Sequence, residues 1–176
     1  GNSKHGIYVT GDDQDNSGSG PIVSGITAIE VIGSTFSNNG FDTNENGSAH
    51  IKLFGFSGDA LFQNIEITGA DSSTPTADRP DYGIEITGYV DGGNSNPVGD
   101  GAPDIGTVLF DNVVVSGAFH KNPVALTNFT EIDGLTIGGS NGGLDLSGAE
   151  STWGPVFNLD STEDTVVDAS GFDITF

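Results

Sequence analysis

Cysteine and methionine are both absent from the 176 residues. Without cysteine there can be no disulfide, no thiolate metal site and no thiol nucleophile. Basic side chains are nearly missing: Lys and Arg total 4 against 25 Asp and Glu, a formal net charge of −21. Nucleic-acid binding, which needs a basic face, is therefore excluded as a function class. No apolar run reaches the roughly 18 residues that a membrane helix requires, and no signal peptide or lipidation motif is visible. Glycine, by contrast, is abundant at 28 residues. Each glycine inside a helix costs about 1 kcal/mol against alanine, so long helices are disfavoured. No Gly-X-Y period is present, which excludes collagen.

The charge needs a physical account. Self-repulsion at −21 opposes compaction. Bound divalent cations or a high-salt medium would offset it; alternatively, acidity simply keeps an elongated surface soluble. A secreted protein fits the first two conditions. The chain opens Gly1-Asn2-Ser3-Lys4-His5, with no starting Met, and passes straight into a strand pattern. The expectation is a single domain spanning 1–176, the C-terminal part of a longer molecule.

Two strand types recur. Type A is a short alternating segment, often closed by Thr-Gly. It appears as His5-Gly6-Ile7-Tyr8-Val9-Thr10-Gly11, His50-Ile51-Lys52-Leu53-Phe54-Gly55 and Tyr82-Gly83-Ile84-Glu85-Ile86-Thr87-Gly88. Weaker copies are Pro123–Thr127 and Pro155–Leu159. Type B lies between them, as Phe62-Gln63-Asn64-Ile65-Glu66-Ile67-Thr68-Gly69 and Phe110-Asp111-Asn112-Val113-Val114-Val115-Ser116-Gly117. A third copy is Ile132–Gly139, with degenerate copies at Val31–Asn38 and Val167–Thr175. Both types have period 2, so one face is buried and the other wet. Gly, Asn, Asp, Ser and Pro fill the turns between them.

A strand that recurs once per repeat in the same direction stacks in parallel on its own copy. Ile7, Ile51, Ile84, Val124 and Val156 are expected to form one inward ladder. Ile67, Val115 and Ile137, with Phe36 below, are expected to form another. Asn64 and Asn112 fall at equivalent turns, where stacked amides can bond along the ladder. Five coils at roughly 4.8 Å each make a stack of about 24 Å. The first strand has no cap before it, so preceding coils or another chain are expected to cover that open N-terminal edge.

These rungs, Gly-Ile-x-Val-x-Gly and Phe-x-Asn-Ile-x-Ile-x-Gly, resemble the right-handed parallel β-helix of the pectate-lyase-like superfamily. The expected fold is thus all-β: a right-handed parallel β-helix, a solenoid of about five coils with long polar loops. The competing architecture is an antiparallel β-sandwich, which the A-B-A-B order disfavours. The resemblance implies a polysaccharide lyase or a mannuronan C5-epimerase-like activity. The His-Gly start and His50-Ile51-Lys52 also resemble polygalacturonase elements. That family's paired aspartates, Gly-His-Gly and Arg-Ile-Lys are not matched in order or identity.

Calcium is the expected cofactor. Asp42-Thr43-Asn44-Glu45-Asn46-Gly47 matches the opening of a calcium loop. Oxygens of Asp42, Asn44 and Asn46 would converge on a hard cation, and Gly47 allows the sharp turn. The twelfth position is Leu53 and no helical pattern flanks the segment, so it is not an EF-hand. Asp13 and Asp15, in Asp12-Asp13-Gln14-Asp15-Asn16, form a second candidate, and Asp100 with Asp104 a third. The plain alternative is a set of polar turns.

On the A face, counting by two places Tyr8, Lys52, Glu85 and Ala125 in one outward row. Gly6, His50, Gly83 and Pro123 form the row on one side of it, and Thr10, Phe54, Thr87 and Thr127 the row on the other. Tyr8, His50, Lys52 and Glu85 should then gather on one face as candidate catalytic residues. Proton abstraction beside a uronate carboxylate needs a base, an acid and charge neutralisation. His50 would take the proton, Tyr8 would supply one, and Lys52 or calcium would neutralise the carboxylate. The plain alternative is a set of ordinary surface pairs between rungs. His120-Lys121 reads as a solvated turn. Trp153, Tyr82 and Tyr89 are candidates for sugar stacking, with Trp153 expected to pack the last coil. Phe54 interrupts the threonine row, which disfavours ice binding.

The functional expectation is a secreted, carbohydrate-active protein acting on or binding an anionic polysaccharide such as alginate or pectin, with calcium bridging acid to acid. The alternative is a non-catalytic structural or adhesive segment of a large exported surface protein. Neither nucleic acid nor membrane is an expected partner.

Overall fold

A computed structural model describes residues 4–10, 28–40, 47–54, 58–87, 105–129, 132–138, 142–161 and 174–175. Every paired strand among them runs parallel to its neighbour. The type A segments become β1 (His5–Thr10), β4 (Ala49–Phe54), β6 (Tyr82–Thr87), β8 (Val124–Phe129) and β11 (Phe157–Ser161). They form one sheet in the order β1-β4-β6-β8-β11, which is chain order. The type B segments lie in a second sheet, in β2 (Ala28–Ile32), β3 (Thr35–Ser37), β5 (Asp59–Thr68), β7 (Ile105–Phe119), β9 (Ile132–Ile137) and β12 (Ile174–Thr175), which also contains β10 (Leu144–Ser151), a strand that no type B copy covers. The chain therefore alternates between two parallel sheets, laying like on like. An antiparallel sandwich is not what forms.

Register on the first sheet follows the alternation of the sequence. Ile7 pairs with Ile51, Ile51 with Ile84 and Ile84 with Val124. The fifth member is Phe157, which pairs with Val124, and not the expected Val156. The row beside it runs Tyr8, Lys52, Glu85, Ala125 and Asn158. Thr10, Phe54, Thr87 and Thr127 are likewise in register.

The second sheet is more complicated than a single repeated strand. In β5, Ala60, Phe62, Ile65 and Ile67 are buried, so the alternation slips by one residue at Asn64. Asn64 has φ 54° and Asn112, its equivalent in β7, has φ 58°. That left-handed conformation bends the strand and is tolerated by Gly and Asn far better than by other residues. One rung below, Gly33 follows Ile32, the partner of Gln63, and has φ 60°. Before the bend β5 pairs with β2, and after it with β3. In the same way β7 pairs with β9 before its bend and with β10 after it. Ile137 accordingly sits on Phe110, not on Val115 as expected. Phe36, Ile67 and Val115 do stack.

The inward residues of both sheets make one buried cluster. Ile51, Leu53, Ile84, Ile86, Val124 and Leu126 line it from the first sheet. Phe62 and Phe110 of the second stack within it, 5.3 Å between ring centroids. The predicted amide ladder is present: Asn112 Nδ2 donates to Asn64 Oδ1 at 2.8 Å. Beside it, Gln63 Nε2 donates to Asp111 Oδ2 at 2.7 Å. Among the described residues no helix is long and apolar enough to cross a membrane.

Candidate functional site

The outward rows of the first sheet are not fully open to solvent. Register sets Lys52 beside Glu85, and Lys52 Nζ lies 2.7 Å from Glu85 Oε2. Both are buried, 9% and 7% exposed, on a face that alternation alone would leave wet. The turn that leads into β4 covers Lys52. Lys52 Nζ also donates to Gly47 O at 3.1 Å. A Cβ built on Gly47, whose φ is 85°, would stand 2.5 Å from that ammonium. Glycine at the end of the Asp42–Gly47 motif suits this left-handed backbone, which other side chains rarely adopt. Burial pushes the Glu85 carboxyl above its usual range, and the Lys52 charge opposes that shift.

His50 lies in the neighbouring row, whose Gly83 and Pro123 are buried as well. It is wholly buried, edge-on to Phe119 at 6.2 Å. Its Nδ1 lies 3.5 Å from Asn39 Nδ2, and Nε2 has no hydrogen-bond partner. Desolvation lowers its pKa from 6.5 to about 4, so the ring is neutral at ordinary pH. Tyr8 pairs with Lys52 in register but is 52% exposed, stacked on His5 at 4.9 Å. Of the four candidate catalytic residues, then, Lys52 and Glu85 touch, Tyr8 stands open at the sheet edge, and His50 faces a closed interior.

A second set of ionisable groups adjoins this pair. Asp81, immediately before β6, is 6% exposed and accepts from three directions. The Gly47 N–H donates to Oδ2 at 2.7 Å, and Lys121 Nζ lies 3.2 Å from the same oxygen. His120 Nδ1 lies 2.8 Å from Oδ1. Asp81 N–H donates to Ser48 Oγ at 3.1 Å. His120 and Lys121 are therefore not the solvated turn expected of them. Backbone bonds bring them there: His120 N–H donates to Pro80 O and Lys121 N–H to Asp81 O. Neither residue alternates within a strand pattern, so counting by two carries no information on where they sit.

The rest of the neighbourhood is aromatic. Lys121 Nζ lies 5.3 Å from the centroid of the Tyr82 ring. Burial, then the charges of Glu85 and Asp81, push the Tyr82 phenol well above its usual value. Trp153 meets His120 edge-on at 5.2 Å and is 65% exposed. The expectation that Trp153 packs the last coil is corrected: Phe157 and Leu159 of β11 pack against the core instead.

Such a cluster combines a carboxylate-oriented imidazole, two ammonium groups and a second carboxylate. An imidazole whose Nδ1 is held by a carboxylate presents Nε2 in a fixed direction for hydrogen bonding or proton transfer. The expected calcium ligands Asp13, Asp15, Asp42, Asn44 and Asn46 lie outside the described residues, as do Asp100, Asp104 and Tyr89. Among the described residues, no group of three or more His, Asp or Glu is arranged to hold a metal ion. No protein-family model, no curated protein and no solved structure matches the chain.

Proposed function

We propose that the two sheets are walls of a right-handed parallel β-helix, and that its first sheet carries an exported protein's binding face for an anionic polysaccharide. Passage of the chain between two parallel sheets, rung upon rung, supports the architecture. The observation that carries the function is where the scarce cations lie. Of the four basic side chains, Lys52 and Lys121 pair with Glu85 and Asp81 on this face, and Arg79 lies two residues from Asp81. A chain of net charge −21 repels a polyanion over most of its surface, so contact is favoured where cations gather. Calcium at the Asp42–Gly47 segment is part of the proposal, bridging acidic protein to acidic polymer.

Lyase or epimerase chemistry on this face would rest on His120 rather than on His50. The His120 ring is part-exposed and braced by Asp81, whereas the His50 ring is closed off. The non-catalytic reading, a structural or adhesive segment, is favoured by the burial of His50, Lys52 and Glu85 within the stack.

Affinity electrophoresis through gels containing alginate or pectate, with and without calcium, tests the binding proposal. Retardation that Lys121→Gln abolishes is expected. Unchanged mobility in every anionic gel would overturn it. Absorbance of unsaturated uronate and the sugar NMR spectrum then separate lyase, epimerase and non-catalytic binding.

A further inference from the structure

We propose that the turn bearing Trp153 is a subsite for a carboxylated pyranose, with the indole as stacking platform and Arg79 and Lys121 as partners of the carboxylate. This rests on the anionic-polysaccharide reading and deepens it by naming the sugar class and its contacts.

A lone exposed aromatic means little by itself. What distinguishes Trp153 is the frame that presents it. Thr152 N–H and Thr152 Oγ1 both donate to Phe119 O, at 3.1 and 3.2 Å. Ser151 Oγ donates to Lys121 O. On the other side, Asn122 Nδ2 donates to Pro155 O at 2.6 Å. The chain turns at Gly154 with φ 90°. Trp153 is thus fixed from both flanks to the Phe119–Asn122 segment, the segment that brings His120 and Lys121 to Asp81. Holding a contact residue in place before binding lowers the entropic cost of the contact.

Donors with capacity to spare lie on residues bonded to the turn that carries the indole. Arg79 Nη1 donates to Thr152 Oγ1 at 3.2 Å, Nε to Thr74 O at 2.9 Å and Nη2 to Ser72 O at 2.7 Å. A guanidinium has five N–H donors, so two remain. Lys121 has three donors and gives one to Asp81. His120 makes no hydrogen bond to a described residue at Nε2. A pyranose presents a C–H face to an indole and hydroxyls at its rim; a uronate adds one carboxylate, the group that Arg and Lys recognise best. A neutral sugar would use the ring and leave the cations idle. An acidic peptide would use the cations and leave the ring idle.

Trp153 is the only tryptophan, so intrinsic fluorescence reads this site directly. The full chain is titrated with oligomannuronate, oligoguluronate and oligogalacturonate, with cello-oligosaccharides of equal length, and with poly-glutamate. A saturable change with at least one oligouronate, and none with the other two probes, is expected. Trp153→Ala should weaken gel retardation by about tenfold or more, and Arg79→Gln should weaken it too, compared at a temperature where circular dichroism shows each variant folded. Equal responses to cello-oligosaccharide or poly-glutamate would overturn the sugar class. Retention of polymer by Trp153→Ala at wild-type strength, with silent fluorescence, would overturn the subsite while leaving polysaccharide binding intact. If no polymer is retained by the wild-type chain, both fall together.

Discussion

Lowering the pH from 7 to 5 should cost this fold stability through one side chain, His50. Its imidazole is wholly buried, and Nε2 meets no partner. Burial sets its folded pKa at about 4 against 6.5 for an unhindered imidazole. A depressed histidine pKa means that the unfolded chain binds the proton more readily. Stability from the neutral ring is therefore full above pH 6.5 and is lost as pH falls toward 4. At pH 5 the unfolded ring is almost fully charged and the folded ring is not, so the linkage is worth about 2 kcal/mol. Below the folded value it saturates at about 3 kcal/mol.

Burial also raises the Glu85 carboxyl above its usual range, and that contribution has to be separated from the imidazole's. Comparison with His50→Phe and His50→Leu isolates the imidazole. Both replacements keep an apolar side chain beside Phe119, and neither has a proton to gain. Urea unfolding at pH 7 and pH 5 supplies the four free energies needed for each comparison. Wild type should lose about 2 kcal/mol more than either variant between the two pH values. Parallel losses in wild type and both variants would refute a buried neutral His50.

The bend asparagines give a second test. Asn112→Ala should cost about 1–2 kcal/mol for the left-handed backbone and about 1 kcal/mol more for the bond to Asn64, read by urea midpoint. Asn112→Gly should lose only the second part, because glycine adopts φ 58° freely. For calcium, the melting temperature should rise when the ion is added to chelator-treated protein, since a ligand held only by the native state must stabilise it. Coincident melting curves would remove calcium from the account.

Much of this arrangement is legible by counting. Parallel pairing, the inward ladder from Ile7 to Val124 and the rows on either side of it all follow from period 2 and repetition. Counting fails where the backbone leaves period 2. The slip at Asn64 and Asn112 splits the second strand type in two, which is why Ile137 stacks on Phe110. Phe157 replaces Val156 because Pro155 ends a turn anchored by Asn122, and the strand starts one residue later than its motif suggests. The Lys52–Glu85 contact was readable, because both residues occupy one row. The Asp81 cluster was not: its members come from turns, and tertiary hydrogen bonds place them. The one available signal was compositional, a His-Lys pair in a chain with almost no basic residues.

Placement of the Lys52–Glu85 pair is hard to explain by stability alone. A buried ion pair gains little over apolar residues of similar size, and replacing one is often neutral or stabilising by about 1–4 kcal/mol. One residue away, the same two strands pair Ile51 with Ile84 and need no charge. Removing only one partner is a different matter. Lys52→Met leaves Glu85 buried and uncompensated, at about 3–5 kcal/mol near neutral pH. That loss should shrink as pH falls and the carboxyl takes a proton. The double variant Lys52→Met/Glu85→Leu separates the two explanations. If the pair serves a charged ligand, the double variant should melt at or above the wild-type temperature while its retardation in alginate or pectate gels falls. A double variant that unfolds at lower temperature, yet is retained by the polymer as strongly as wild type when folded, would show that the charges belong to the stack and not to the ligand.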